Sequence, residues 1–417
     1  MKSKFLSLRW GCLGILCMGA LVVLGLYVAI SVRPSIGAHG ADLLRGIIGN
    51  EAVTRLEAIA FQARDTVQQR LYALGLAHPA APWQAATTQA TPASPAFAST
   101  SKKPTPAEGE IPFEAGATPM PTSAAAARPL ATATPTPVPW RPAPAKPLGE
   151  LEGEGAWTPY IQISSGQTVA YRTFLQPDPK RPYTVIGVVA FDLTHTRLHY
   201  VLGTQEPSVP KGPTGNGTIL PQDRLPGILL ATFNGGFKAT HGHFGAMQGG
   251  VVALPPRDGF AVVAIYKDGR VRIGDWGGVI TQTQDVVAWR QNARLIIRDG
   301  QITPQVATDL ISDWGGNFGG VVVTWRSVLG LSADNRTLYY FAGPSLIMPV
   351  LAQAMVAAGV QQGLELDINP YWVHFTTIQS QGNTLVADPL FPAQMKESKD
   401  RYLRASARDF FYITAVP

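Results

Sequence analysis

Residues 76–150 hold sixteen of the chain's 35 prolines, and no other stretch restricts folding as severely. Each proline removes a backbone donor, and the residues between them are mostly Ala, Thr and Ser, as in Ala133-Thr134-Pro135-Thr136-Pro137-Val138-Pro139. Such a segment buries too little apolar surface to offset the cost of ordering it. It reads as a disordered linker, extended in part as polyproline II, with Trp83, Phe97 and Trp140 as passive residues. The linker leaves 151–417 as the region able to build one core.

Ahead of the linker, residues 11–32 are apolar without a charge. As a helix this run spans roughly 33 Å at about 1.5 Å per residue, enough for a hydrocarbon core. Lys2, Lys4 and Arg9 precede it and only Arg33 follows closely, so residues 1–10 are expected in the cytoplasm and everything after 32 outside. The protein is therefore expected to be single-pass, with its C-terminal domain extracytoplasmic. A cleaved signal peptide is the competing reading, against which stand the length of the run and the lack of a small-residue cleavage site. Acylation at Cys17 would need a small residue just before it, where Leu16 stands. Within 33–75, Asn50 and Gly75 bracket an amphipathic helix, with Val53, Leu56, Ala60, Ala63, Val67, Leu71 and Leu74 spaced by threes and fours. That helix suits a short coiled coil, or a helix lying against the membrane or its own domain.

Charge excludes one class of partner. Residues 1–150 carry 13 Lys or Arg against 8 Asp or Glu, and 151–417 carry 21 against 20, so the folded region is nearly neutral despite the net +6. Without a basic stripe, nucleic acid is set aside. Both cysteines, Cys12 and Cys17, fall in the apolar run, so the domain has no disulfide, Cys metal site or Cys nucleophile.

Beyond 151, short apolar runs punctuated by Gly, Asp-Gly and Asn predict strands at 184–191, 228–233, 260–266, 295–297, 321–325, 338–341 and 410–414. Lys267-Asp268-Gly269 and Asp299-Gly300 mark hairpins. One helix is predicted over 346–358, capped by Ser345, with Pro349 in its first turn and Gly359 as its stop. It leads into a strand, Gly363-Leu364-Glu365-Leu366, that ends on Asp367. The fold class is α+β, around a mixed, largely antiparallel sheet with few helices.

Three segments combine polar groups with backbone freedom. In Asn234-Gly235-Gly236-Phe237, the glycine amides suit phosphate or sugar oxygens and the Asn carboxamide a ligand or metal; a plain turn suits the same residues. His241 follows as a candidate acid-base group, or as a loop histidine without a role. Arg326, inside an apolar strand and followed by Ser327, requires a carboxylate or a bound anion. Glu365 and Asp367 alternate on one predicted strand, the arrangement used by carboxylates at a glycosidic centre or around a divalent cation. Nothing further names a cofactor. Tyr371 and Trp372 suit stacking on a sugar ring, and equally a core.

In this order, Asn234-Gly235-Gly236-Phe237, Arg326-Ser327 ahead of Gly330, the helix and Leu366-Asp367 resemble the phosphodiester glycosidase family over about 180–390. The family's Leu-Asp-Gly-Gly-Gly-Ser is replaced here by Leu366-Asp367-Ile368-Asn369-Pro370-Tyr371, where Pro370 has no amide hydrogen to offer a phosphate. The resemblance implies a hydrolase of the cell envelope that cleaves a glycosidic bond to a phosphodiester or related glycopolymer. Asp367 would act as nucleophile or base, with Glu365 and His241 as further catalytic candidates. Asn234, Gly235, Gly236, Arg326, Ser327, Tyr371 and Trp372 would bind the carbohydrate or glycosyl-phosphodiester ligand. The alternatives are a non-catalytic carbohydrate-binding or envelope scaffold domain of the same fold and, more distantly, a metal-dependent phosphodiesterase.

Overall fold

A computed structural model describes residues 33–83, 139–308 and 322–416. The expected membrane span over 11–32 and most of the expected linker lie outside these residues. Among the described residues, no helix is long and apolar enough to cross a membrane.

The described residues form three antiparallel sheets with few helices. The largest has eight strands in the order β1 (Thr158–Gln162), β2 (Thr168–Leu175), β3 (Ile186–Asp192), β14 (Thr337–Leu346), β13 (Thr324–Leu331), β15 (Gln362–Glu365), β11 (Leu295–Arg298) and β12 (Gln301–Ile302). A second runs β7 (Val251–Leu254), β6 (Ala246–Gln248), β10 (Val286–Gln291), β8 (Ala261–Tyr266) and β9 (Val271–Asp275). The third runs β17 (Thr384–Pro389), β16 (Phe375–Gln381), β5 (Leu229–Asn234), β18 (Phe410–Ala415) and β4 (Thr196–Val201). Instead of one mixed sheet, every ladder between these strands is antiparallel. Short turns such as Asp299-Gly300, both at positive φ, reverse the chain between β11 and β12 without a crossover.

The central strands β3, β14 and β13 of the large sheet are buried on both faces, which explains runs of apolar residues where a half-exposed strand would alternate. On β3, Val189 and Phe191 enter the core shared with the other sheets, while Val188 and Ala190 face the helix α4 (Met348–Ala357). α4 is shorter than expected: Ser345, at positive φ, belongs to β14 and provides no cap. Its end is as the sequence suggests. Gly359 at φ 86 lets its own amide bond Val356 O and the Val360 amide bond Met355 O, closing the helix in a Schellman motif. The other short helix, α3 (Pro304–Thr308), ends at the limit of the described chain.

Two N-terminal helices, α1 (Pro34–Ile48) and α2 (Asn50–Ala73), pack against each other and against this domain. α2 does not use the expected apolar seam. Val53 is buried, yet Leu56 and Leu74 are 51% and 72% exposed. The helix is instead turned by Asp65, whose carboxylate accepts Nε (2.8 Å) and Nη2 (2.7 Å) of Arg181 and the Tyr183 hydroxyl (3.1 Å). Once Asp65 faces the domain, its two-pronged pairing with Arg181 compensates charges that would be costly to bury alone. Packing also reaches back beyond the expected domain start at 151. Trp140 meets Tyr171 edge-on at 5.6 Å, and the Lys146 amide bonds Ala357 O. Trp83 carries the Arg172 guanidinium 4.4 Å above its ring.

Candidate functional site

The ends of β5 and β15 and the starts of β13 and β18 meet at one place. Asn234 closes β5 opposite Phe410, and Val328 of β13 pairs with Glu365 of β15. These strand ends carry two buried ion pairs from the adjacent residues Arg408 and Asp409. Arg408 Nη2 lies 2.7 Å from Asp367 Oδ2 and 2.8 Å from Gly236 O. Asp409 Oδ2 accepts Arg290 Nε at 2.7 Å, the Tyr200 hydroxyl at 3.0 Å and the Gly236 amide at 3.2 Å. Arg290 is fully enclosed, its other nitrogens donating to Phe237 O, Phe244 O and Gln291 O.

This packing explains Gly235-Gly236. A Cβ on Gly235 would strike the Asp409 carboxylate, and one on Gly236 would come within 2.9 Å of the Arg290 guanidinium. The glycines therefore admit a buried ion pair, and their expected ligand-binding role gives way to that contact. Asn234 is likewise committed to the protein. Its Nδ2 donates to Ser327 Oγ (3.0 Å), and its Oδ1 accepts the Tyr340 hydroxyl (2.9 Å) and the His374 amide (3.1 Å). Ser327 Oγ accepts the Asp367 amide at 3.2 Å, and the Ser327 amide donates to Asp367 O at 2.9 Å. Asn234 and Ser327 hold the backbone of Asp367 and do not line the cavity described below.

Glu365 and Asp367 part company. β15 ends at Glu365, so the alternation that would set both on one face stops there. Glu365 is fully buried, with Oε1 at 2.6 Å from Arg326 Nη1, and Arg326 also donates to Leu346 O and Val322 O. Neither of this pair reaches the cavity, so the expected catalytic role of Glu365 and the anion-binding role of Arg326 are replaced by a structural ion pair. Past Asp367 the chain turns on Asn369, whose Oδ1 accepts the Tyr371 amide at 2.8 Å across Pro370. That turn brings Trp372 beside Asp367.

The cavity is lined from the domain by Phe237, Lys238, His241, Asp367, Trp372 and Arg408, and is closed over by Asp42 and Arg45 of α1 and Glu57 of α2. Its volume is about 60 Å³, room for a few water molecules and not for a sugar ring. Lys238 Nζ binds both Asp42 oxygens at 2.6 Å and stands 5.9 Å from the Trp372 ring, over which Arg408 also lies at 4.7 Å. Tyr371 stands just outside, beneath Arg401 at 4.3 Å, with His39 of α1 at 5.6 Å.

The electrostatics are uneven. Burial raises the Asp367 carboxyl above its ordinary value, although Arg408 pulls it the other way. Burial, aided by Arg45, Arg408 and Lys238, drives the His241 imidazole down to about 3, so it stays neutral at physiological pH and is a weak base. For Asp42, burial works upward, but Lys238 and Arg45 prevail and hold it below its ordinary value. Among the described residues, no group of three or more His, Cys, Asp or Glu side chains is arranged to hold a metal ion.

Lys238, Arg290, Arg408 and Asp409 were not among the residues singled out from sequence. The usable signal was the charged pair Arg408-Asp409 at the head of the apolar strand Phe410-Phe411, since charges entering a core require partners.

No protein-family profile matches the chain, and no curated protein matches it in sequence. In structure it is similar to the catalytic domain of zebrafish N-acetylglucosamine-1-phosphodiester alpha-N-acetylglucosaminidase, described as auto-inhibited by its pro-peptide. The TM-score is 0.41 at 13% identity, over 61% of this chain and 87% of that one. A hypothetical protein from Synechocystis follows with a TM-score of 0.38 and 9% identity, over 62% of this chain and 64% of that one. A putative exported protein from Burkholderia pseudomallei has a TM-score of 0.29 and 10% identity, over 61% and 76%.

Proposed function

We propose that the domain is an extracytoplasmic hydrolase that cleaves the bond between a sugar and a phosphodiester. The observation that carries this reading is the cavity's inventory: one domain carboxylate, two cations and an indole. Ordinary glycoside cleavage calls on two carboxyl groups, one of them to protonate the leaving oxygen. A phosphate leaving group is already a weak base and needs no such acid. Lys238 and Arg408 suit its charge, Trp372 a sugar face, and Asp367 the proton of an attacking water. The water oxygen bonds to the anomeric carbon as the carbon–oxygen bond to phosphate breaks. The phosphate takes the bonding pair and Asp367 takes the proton.

The test is release of the aglycone phosphate from an activated glycosyl phosphodiester. Only ionised Asp367 accepts the proton, and burial has raised its pKa, so kcat/KM is expected to fall toward acid along a limb centred above about 4, the ordinary aspartate value. A rate independent of pH between 4 and 7 would remove Asp367 as the base, and no turnover together with sugar binding would replace this reading with a non-catalytic carbohydrate-binding domain.

That second reading is favoured by one observation, the seated α1–α2 hairpin. A sugar enters only if the hairpin withdraws, and withdrawal breaks the Asp65–Arg181 pair. If the site turns over, Asp65→Ala is expected to raise the rate about tenfold, the equivalent of about 1.4 kcal/mol in the docking equilibrium. Progress curves of the variant and parent at low substrate read this directly. An unchanged rate would show that the hairpin does not gate entry.

A further inference from the structure

α1 and α2 each have two sides, and only one side of each is used by the domain. On α1, Ala38, Ala41, Asp42 and Arg45 turn inward, whereas Ile36, Leu43, Leu44, Ile47 and Ile48 recur by threes, fours and sevens on the other side. Leu43 and Ile47 are each 71% exposed. On α2, Val53 and Asp65 turn inward, and Leu56, Ile59 and Val67 lie outward, Ile59 at 64% exposure. Large aliphatic side chains grouped in this way on adjoining helices mark an interaction surface.

The sequence limits what covers it. The uncharged run 11–32 ends two residues before α1 begins at Pro34, so the first turn of α1 lies within about 7 Å of the end of that run. Amphipathic helices at a bilayer surface bury their apolar side about 5–10 Å into the boundary between headgroups and acyl chains. A second copy of the chain would have to cover the same stripe without clashing with the bilayer at that tether.

We propose that the α1–α2 hairpin lies on the bilayer surface through Leu43, Leu44, Ile47, Ile48, Leu56 and Ile59, which sets the cavity beside the lipid headgroups. The hairpin is then clamped between two surfaces, Asp42 and Asp65 holding the domain and the aliphatic stripes holding lipid. A phosphodiester reaching the cavity would come from a lipid-borne headgroup, a consequence that rests on the hydrolase reading. The docking itself rests on the aliphatic stripes and on the expected bilayer span of residues 11–32.

The test uses the full chain, with Cys12→Ala and Cys17→Ala, reconstituted into vesicles of phosphatidylethanolamine and phosphatidylglycerol. Nitroxide labels are placed singly at Ile47→Cys, Ile59→Cys and the distant, 71% exposed Val279→Cys. At 47 and 59, collisions with oxygen are expected to exceed those with an aqueous nickel chelate, and at 279 the order should reverse. Protein that floats with the vesicles while 47 and 59 meet the chelate as freely as 279 would overturn the docking and leave the span intact. Failure to float would overturn both. Dipolar broadening between labels on different copies would assign the stripes to a second chain and overturn the proposal. None of these readings involves turnover, so they stand apart from the success or failure of the hydrolase reading.

Discussion

Asp367→Asn is expected to slow release of the aglycone phosphate from a glycosyl phosphodiester by at least about a hundredfold, the usual scale for a positioned acid or base. The amide has nearly the size of the carboxyl but cannot take a proton from water. Its backbone is held independently of the side chain, by the Ser327 hydroxyl and the Ser327 amide, so the turn that presents residue 367 should persist. Arg408 would keep Gly236 O as an acceptor and Trp372 beneath it. Turnover and thermal unfolding, measured on one preparation, separate a chemical role from a structural one. A variant that works at the parent rate removes Asp367 from the chemistry whatever its stability.

The largest effect on folding is expected at the neighbouring pair. Asp409→Leu should lower the unfolding free energy by about 3–5 kcal/mol, because Arg290 would stay charged in a fully enclosed position with its carboxylate gone. Burial opposes the Arg290 charge, and Asp409 leads the groups that favour it, ahead of Tyr200 and Glu206. Urea or guanidinium midpoints at unchanged slope would read the loss. The double variant Arg290→Met, Asp409→Leu is expected to recover much of it, since it leaves no uncompensated charge in the core. Equal midpoints for the parent and the single variant would show that the pair does not hold this junction together.

Local features were legible in the sequence, whereas pairings across the sheets were not. The strands at 184–191, 228–233, 260–266 and 410–414 stand within a residue or two of β3, β5, β8 and β18, because uninterrupted β-branched and aromatic runs suit strands buried on both faces. Gly359 ended its helix for a reason visible in four residues. The distribution of those strands over three sheets depends on which edges meet, and no local pattern encodes that. The same limit applies to the site. Asp367 is legible from its place after a strand, but its partner is not: Arg326 and Arg408 both stand 41 positions from it, and only the fold selects Arg408 for Asp367 and Glu365 for Arg326. The alternation that would group Glu365 with Asp367 ends at Glu365, two residues before Asp367. The buried side of α2 was misjudged because it turns on a polar residue, Asp65, whose partner Arg181 lies more than a hundred positions away.

Of all the described strands, β18 comes latest in the sequence, yet it lies inside its sheet between β5 and β4. During synthesis, β4 and β5 leave the ribosome more than 170 residues before the strand that joins them. Until then both present unpaired edges, and such edges invite pairing with other chains. Arg408 and Asp409 arrive immediately ahead of β18, so the cavity and the centre of the sheet are completed in one step. A nascent chain would therefore carry no assembled cavity until that strand had left the ribosome. Loss of β18 by truncation or proteolysis would expose the edges of β4 and β5 together.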